Sequence, residues 1–442
     1  MSALHRTDPA PPVRIVHLGL GAFSRSHLAW YTAHAADAAQ WGIAAYTGRS
    51  AALADALTAQ HGLYTLVTRG ADGDETEVVD SIVRTRPGDD VTSLIGDIAA
   101  PATAIVSLTI TEAGYRAAPS GAPDQSDPLI VADRAVLATL GDDVAGAHRL
   151  QTAPGRLAAA LDARRRAGGG PLAVVSCDNL PDNGGIAARV VAGMLASVSD
   201  AAVAWCAENV SFVSGSVDRI TPRLAPEESA RLSAQLDDAA PVVTEPFSDW
   251  VLSGAFPAGR PDWESAGARV VADLEPWEAR KLWLLNGAHT ILANLGPRRG
   301  HAVVSEAIAD AECRTAVEAF WDEAAVHLPA ELEIDAYRAA LLDRFANPRI
   351  AHALAQIALD TPTKLRLRIA PVAERERAAG RRAIGSARAF AACLDDAPDD
   401  QLRMRLRAAS PALADDAAFF ADVVCARDDL RTHAARTLEE TR

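Results

Sequence analysis

The sequence predicts an α/β protein: an N-terminal, doubly wound and mostly parallel sheet domain over residues 1–270, followed by a mainly α-helical C-terminal domain over residues 271–442. Three observations predict it. Short apolar strands alternate with helical stretches through the first half, and such alternation needs crossover connections and therefore a parallel sheet. The first strand runs directly into Gly19-Leu20-Gly21, a strand-to-helix turn. Beyond residue 271 the strand signal gives way to long amphipathic runs.

Taken in order, Arg14 to Leu18 is the first strand, and a helical stretch follows from Ser26 to Ala39. Gly19 and Gly21 between them allow a backbone to approach a pyrophosphate while the helix N-terminus supplies amide donors. Ser24 stands at the third glycine position of GxGxxG, so the match has two glycines only, and a plain tight turn is the competing reading. A second strand, Ile43 to Tyr46, ends in Thr47-Gly48-Arg49-Ser50. The Asp or Glu that holds a ribose 2′-hydroxyl is absent there; Arg49 either meets a 2′-phosphate or caps the loop, and the choice between NAD and NADP stays open. Further strands are expected at Leu63 to Val67, Ala104 to Leu108 and Leu172 to Ser176, with helices at Ala51 to Gln60, Gly155 to Ala167 and Gly185 to Ser197. Ala117 to Pro128, rich in Pro, Gly, Ser and Asp, reads as a loop inside the first domain. In the second domain Cys313 to Ala325, Ile334 to Phe345 and Pro348 to Leu359 read as helices.

Composition narrows the function classes. A chain of 442 residues with 49% hydrophobic residues can bury large cores. Its net charge of -15 argues against nucleic acid or an anionic membrane as partner, since both require basic patches. The N-terminal MSALHRTDPAPPVR carries no apolar signal core and no later segment is apolar enough to span a bilayer, so a cytoplasmic location is expected. The five cysteines, Cys177, Cys206, Cys313, Cys393 and Cys425, show neither CxxC nor zinc-type spacing, so no metal and no structural disulfide is expected. Cys177 beside Asp178 and Asn179 has a nucleophilic reading, but a buried inert thiol is favoured.

The chemistry concentrates in PWEARKLWLLNGAHTILANLG, where Glu278, Lys281, Asn286 and His289 interrupt an apolar run. On a helical wheel with Lys281 at zero, Glu278 falls at about 60°, His289 at about 80° and Asn286 at about 140°, so all four share a face. Lys281 and His289 lie about 12 Å apart along the axis, a span that suits a small polar molecule. The competing reading is a wet face with an i,i+3 Glu278–Lys281 surface pair. Leu282 and Leu285 in the same arc point instead to a half-buried polar cleft. Three further clusters sit at strand ends, where open α/β sheets bind ligands. They are Cys177 to Gly184, with Asn179 facing the ligand and Asp182 and Asn183 equally readable as a helix cap; Ser107 to Glu112, with Thr109 and Thr111 as cofactor contacts; and Ser216 to Pro222, where Asp218 is either a substrate contact or half of a buried ion pair with Arg219.

These segments together resemble the mannitol dehydrogenase family, the polyol-specific long-chain dehydrogenases that include fructuronate and tagaturonate reductases. The resemblance rests on HLGLGAFSRSHLAWY, SLTITEAGY, SCDNLPDNG, VDRITP, TEPFSDWV, FPAGRPDWE, KLWLLNGAHT and RFANPRIAHALAQIALD, in family order across residues 13 to 371. It implies a Rossmann-like domain followed by a helical substrate domain, NAD as cofactor with NADP possible, a monomer, and a polyol, ketose or sugar-acid substrate. It further implies Lys281 as general acid/base, Asn179 and Asn286 holding the reacting oxygen, His289 orienting the substrate, Glu278 on the proton path, and Gly19, Leu20, Gly21, Ala22 and Phe23 as the cofactor loop. Family members often have a basic residue at the position of Lys364 facing the far end of the substrate; a solvated basic turn with Arg366 and Arg368 competes with that role. Two departures touch the cofactor side: FSRSH, with Ser24 where His is common, and TEAGY, with Ala113 in place of Lys.

The implied reaction interconverts a polyol and its 2-ketose by hydride transfer, with lysine as the base and no metal. A free lysine has a pKa of about 10.4 and a useful base about 7 to 8, so its site must disfavour the ammonium by roughly 4 kcal/mol. Leu282, Leu284 and Leu285 supply apolar surroundings for that. The alternatives are a reductase of fructuronate or tagaturonate type and a catalytically silent dinucleotide-binding protein, for which Ser24 and Ala113 are the only support.

Overall fold

The computed structural model describes residues 4–440 apart from 49, 142–143, 351 and 396. The chain divides into two compact units, Met1–Leu274 and Glu275–Arg442. The first is the α/β unit. Its strands are β1 (Val13–Leu20), β2 (Gly42–Thr47), β3 (Tyr64–Arg69), β4 (Asp74–Val79), β5 (Ile82–Arg86), β6 (Ile105–Leu108), β7 (Leu172–Ser176), β8 (Val210–Asp218), β9 (Val242–Thr244), β10 (Asp249–Ser253) and β11 (Arg269–Val270). Eight of them form one sheet in the order β11-β10-β8-β7-β6-β1-β2-β5. From β5 across to β8 every pairing is parallel, and β10 adds antiparallel to β8.

Both faces of this sheet are buried, which explains its apolar strands. Val16, Leu18, Ala44, Tyr46, Val106, Leu108 and Val174 enter one core, while Ile15, Ile43, Ala45, Ile105, Ala173 and Val175 enter the other. The strand order reverses between β1 and β6, since β1 leads outward to β2 and β6 leads the opposite way to β7. A crevice therefore opens beyond the carboxyl ends of these two strands, where doubly wound sheets bind their ligands.

The second unit is helical, and its central rod runs without a break through Glu275–Arg280, Lys281–Leu285 and Asn286–Leu295. The middle segment is a π-turn, in which the amide of Asn286 reaches back to the carbonyl of Lys281. The buried indole of Trp321 donates to the carbonyl of Leu284 at 2.7 Å, so the turn is held from a neighbouring helix. No helix among the described residues is long and apolar enough to cross a membrane.

Three expectations need correction. Leu63 to Val67 is a strand, β3, but it belongs to a separate three-stranded sheet, β4-β3-β9. The partner of β2 is β5, whose sequence Ile-Val-Arg-Thr-Arg is the charged pattern of an edge strand and carries little apolar signal. The helix expected from Ser26 to Ala39 begins at Ala22 and ends at His34, because the turn amide of Gly21 is capped by Ser24 and Ala35 is extended. Among the described residues of Pro348 to Leu359 only Leu354–Ile357 is helical. There Asn347 caps the amide of Arg349 in an Asx turn at 3.0 Å, and proline holds the residue before it out of the helical region.

A buried polar chain ties β1 to β6. His17, 1% exposed, places Nδ1 2.9 Å from Ser107 Oγ and Nε2 3.1 Å from Thr109 Oγ1. Thr109 Oγ1 in turn donates to the Gly19 carbonyl at 2.8 Å. That hydroxyl has one proton, so it accepts from His17; the network thus assigns the proton to Nε2 and leaves Nδ1 to accept from Ser107. Burial lowers the pKa of His17 from 6.5 to about 4, with the Gly19 carbonyl opposing. The charged form is disfavoured in the folded state, so as pH falls below 6.5 the unfolded chain takes up the proton first and stability drops. Between pH 7.5 and 5 this one group accounts for a loss of about 2 kcal/mol. Urea denaturation at the two pH values should show that loss reduced by about this amount in His17→Gln; an equal loss in both proteins would refute the assignment.

Candidate active site

In the α/β unit a cleft of about 620 Å³ lies beyond β1, β2 and β6, and its walls include Gly19, Leu20, Thr47, Gly48, Thr109, Thr111, Arg116 and Arg156. Among the described residues no Asp or Glu lines it, while Arg116 and Arg156 do. The glycine turn forms its floor. Gly19 has φ +106°, and a Cβ there would stand 2.1 Å from the carbonyl oxygen of Thr109, so both conformation and space demand glycine. Gly21 differs: it is extended, and a Cβ would meet nothing nearer than the Gly19 carbonyl at 3.7 Å. Ala22 and Phe23 open the following helix, and the Ser24 hydroxyl accepts the Gly21 amide at 3.0 Å. Arg25, buried behind this turn, donates to the Gly21 carbonyl at 3.0 Å and to the carbonyl of Ala240. Arg49 lies outside the described residues.

The second wall is the loop after β6. Thr111 has φ +67° and ψ 161°, a region that a β-branched residue enters only under strain. The buried carboxylate of Asp178, at the end of β7, accepts the amides of Ile110 and Thr111 at 3.1 and 2.7 Å and the hydroxyl of Tyr115 at 2.8 Å. Asn179 follows it and is exposed. Asn183 is no helix cap: its buried amide donates to the carbonyls of Asp178 and Gly215 and accepts the Gly215 amide, bolting the end of β7 to β8. Asp182, in the left-handed region, pairs with Arg189 at 3.0 Å.

Asp218 is buried at the end of β8, in register with Asp249 of β10. Arg219 donates to the Ser26 carbonyl at 2.6 Å and stacks over Trp30, so it braces the glycine-turn helix. Burial pushes the Cys177 thiol well above its ordinary range, which suits an inert core cysteine and not a nucleophile. Among the described residues no cluster of His, Cys, Asp and Glu is arranged to hold a metal ion.

In the helical unit Glu278, Lys281 and Asn286 are half-buried on the central rod, with Lys281 opening the π-turn. The wheel drawn for a regular helix is therefore revised. A π-turn holds one extra residue, so everything after it turns back by about 100°, moving Asn286 to about 40° and His289 to about -20°. The four polar residues now share an arc of about 80° in place of about 140°. His289 is 8% exposed and packs its ring against Phe345 and His352, with centroids 4.9 and 5.0 Å away. Burial first, then the neighbouring His352, Arg344, Arg368 and Lys364, hold its pKa well below 6.5, so the ring is neutral.

Lys364 donates to the carbonyl of Ile357 at 2.5 Å and to that of Leu359, engaging two of its three N–H groups at the end of a short helix. Arg368, which enters the sequence analysis only as part of the competing solvated-turn reading, reaches the Asn286 carbonyl at 3.2 Å and Thr290 Oγ1 at 3.1 Å. Its spacing of four from Lys364 was the available signal. Asp178 and His17 were also missed as parts of the site: His17 sits in an apolar run as core residues do, and Asp178 is one of several polar residues in Cys177 to Gly184, where only Asn179 stood out.

The sequence pattern of the mannitol dehydrogenase Rossmann domain matches residues 13–265, and that of the mannitol dehydrogenase C-terminal domain matches residues 273–387. The chain is 40% identical to the D-arabinitol 4-dehydrogenase of Ralstonia nicotianae over 81% of its own length and 77% of that protein. To the D-mannonate oxidoreductase of Escherichia coli it is 36% identical over 80% of its length and 74% of that protein. The structure of Pseudomonas fluorescens mannitol 2-dehydrogenase in ternary complex with NAD and D-mannitol superposes with a TM-score of 0.76 at 30% identity, covering 98% of this chain and 95% of that one. On these matches the chain belongs to the mannitol dehydrogenase family.

Proposed function

We propose that the protein is an NAD-dependent oxidoreductase that interconverts a polyol and its 2-ketose. The observation that carries this reading is the cleft at the point where the strand order reverses, floored by a glycine turn that leaves backbone close to any ligand and lined, among the described residues, by arginines without a carboxylate. The residues fit a dinucleotide: Gly19 to Phe23 would hold the pyrophosphate, and Thr109 and Thr111 would flank it. Bound NAD would supply the hydride acceptor.

The remaining chemistry belongs to side chains. Lys281 takes the hydroxyl proton as the alcohol is oxidised and returns it in reduction, and Glu278 passes that proton toward water. The carboxamides of Asn179 and Asn286 donate to the oxygen on which negative charge develops; such a donor is typically worth about 2.7 to 4 kcal/mol of barrier. His289, being neutral, orients a substrate hydroxyl by hydrogen bonding and adds no charge.

A second reading, a sugar-acid substrate of fructuronate or tagaturonate type, is favoured by one specific feature. Arg368 and Lys364 both bear positively on His289, and their contacts described above are to uncharged oxygens, with Asp360 acting on Lys364. A guanidinium such as that of Arg368 suits a carboxylate.

Lys281→Ala should lower kcat for alcohol oxidation by at least about 100-fold and abolish the fall in rate toward low pH that protonation of the base imposes, with NADH binding retained; an unchanged profile would remove the lysine from the proton path. Asn179→Ala should lower kcat by roughly 100-fold or more at unaltered NADH affinity, and turnover within about threefold of wild type would exclude it. Reduced-nicotinamide absorbance with hexitols, pentitols, fructose, fructuronate and tagaturonate separates the two substrate readings. A higher kcat/KM for the uronates, lost selectively in Arg368→Gln, supports the second reading; turnover of polyols alone supports the first, and no turnover of any leaves a silent dinucleotide-binding protein.

A further inference from the structure

We infer that Asp178 is a positioning residue whose carboxylate clamps the loop Ile110-Thr111 into a strained conformation that shapes one wall of the coenzyme cleft. The proposal rests on the reading of that cleft as the dinucleotide site. Thr111 at φ +67°, ψ 161° occupies a region open to glycine and closed to β-branched residues, so surrounding contacts must impose it. The contacts are visible. One oxygen of Asp178 accepts the Thr111 amide at 2.7 Å, and the other accepts the Ile110 amide at 3.1 Å and the Tyr115 hydroxyl at 2.8 Å. Tyr115 carries one hydroxyl proton and donates it to Asp178, so Ser176 Oγ at 2.5 Å donates to the phenol and fixes its orientation in turn.

Three features make this more than a loop contact. The carboxylate is only 6% exposed, and its three donors oppose the desolvation that pushes its pKa up. Its backbone is fixed independently, since the Asp178 carbonyl accepts from the buried Asn183 amide at 2.8 Å. Ile110 and Thr111 both line the cleft, so what the clamp holds is cleft wall. A neutral, isosteric replacement therefore leaves the end of β7 in place and releases the strain at residue 111 into the cleft. Glycine at 111 would remove the need for the clamp, because it adopts the same dihedrals without strain.

The test is a double-mutant cycle with amide exchange as an independent readout. Asp178→Asn should raise the NADH dissociation constant at least tenfold, read by fluorescence titration, and should speed exchange at the amides of 110 and 111 at least tenfold in the ligand-free protein. In a Thr111→Gly background the same substitution should change NADH affinity by less than threefold. If Asp178→Asn alone fails to fold, the paired Thr111→Gly variant should restore soluble, dinucleotide-binding protein. Equal losses in both backgrounds, or unchanged exchange at 110 and 111, would overturn the clamp. A wild type that binds neither NADH nor NADPH, yet still shows the exchange response, would overturn the coenzyme reading and leave the clamp standing.

Discussion

Everything on the coenzyme side depends on one close approach, that of the chain leaving β1 to the chain leaving β6. A Cβ on Gly19 would lie 2.1 Å from the Thr109 carbonyl, so the two strand ends stand as near as backbone can come. Such proximity would strand polar groups unless they were paired, and the pairing is supplied by Thr109 Oγ1 to the Gly19 carbonyl and by His17 to Thr109. The crevice is thus a product of register. β1 pairs β6 with His17 opposite Ser107, and a slip of one residue would turn His17 to the other face and dissolve the chain of donors.

The helical unit solves a different problem by a different distortion. A regular helix spreads Lys281, Asn286 and His289 over a wide arc, and the π-turn at Lys281–Leu285 gathers them. π-turns also occur at Arg25–Ala29, just past the glycine turn, and at Leu365–Ile369, just past Lys364. All three follow segments that carry site residues. The cost of the one at Lys281–Leu285 is offset locally: Trp321 holds the Leu284 carbonyl, and Arg368 and Thr290 both reach the Asn286 carbonyl. Trp321 and Arg368 therefore act on the rod through its backbone.

The sequence was informative where a physical rule maps residue type onto structure directly. Parallel strands such as Leu172–Ser176 are buried on both faces and show up as apolar runs; Gly19 announces a turn because its conformation excludes other residues. The family motifs identified the fold and the residues to watch. What stayed hidden lies in tertiary context. β5 reads as charged because an edge strand is half-wet, the π-turn leaves no periodic mark within five residues, and His17 looks like any core residue until its partners ninety positions away are known. Lys364 shows the same limit from the other side, since the carbonyls of Ile357 and Leu359 that engage it lie at the end of the helix the sequence expects, and nothing in the sequence says that the lysine turns back onto them.

That division of structure into backbone-built and side-chain-built halves bears on the two departures from the family pattern. Ser24 replaces a bulky ring, yet its hydroxyl caps the Gly21 amide, and the features that define the turn, the φ of Gly19 and the bracing by Arg25 and Arg219, involve other residues. Ala113 sits exposed in the short turn Glu112–Gly114, where the contacts that fix the loop come from Asp178 to residues 110, 111 and 115. Neither change removes a donor, an acceptor or a conformational constraint described for the cleft. Strain like that of Thr111 has no merit for stability and persists only where surrounding contacts maintain it. Neither substitution touches those contacts, so the silent reading loses the support that the two substitutions lent it.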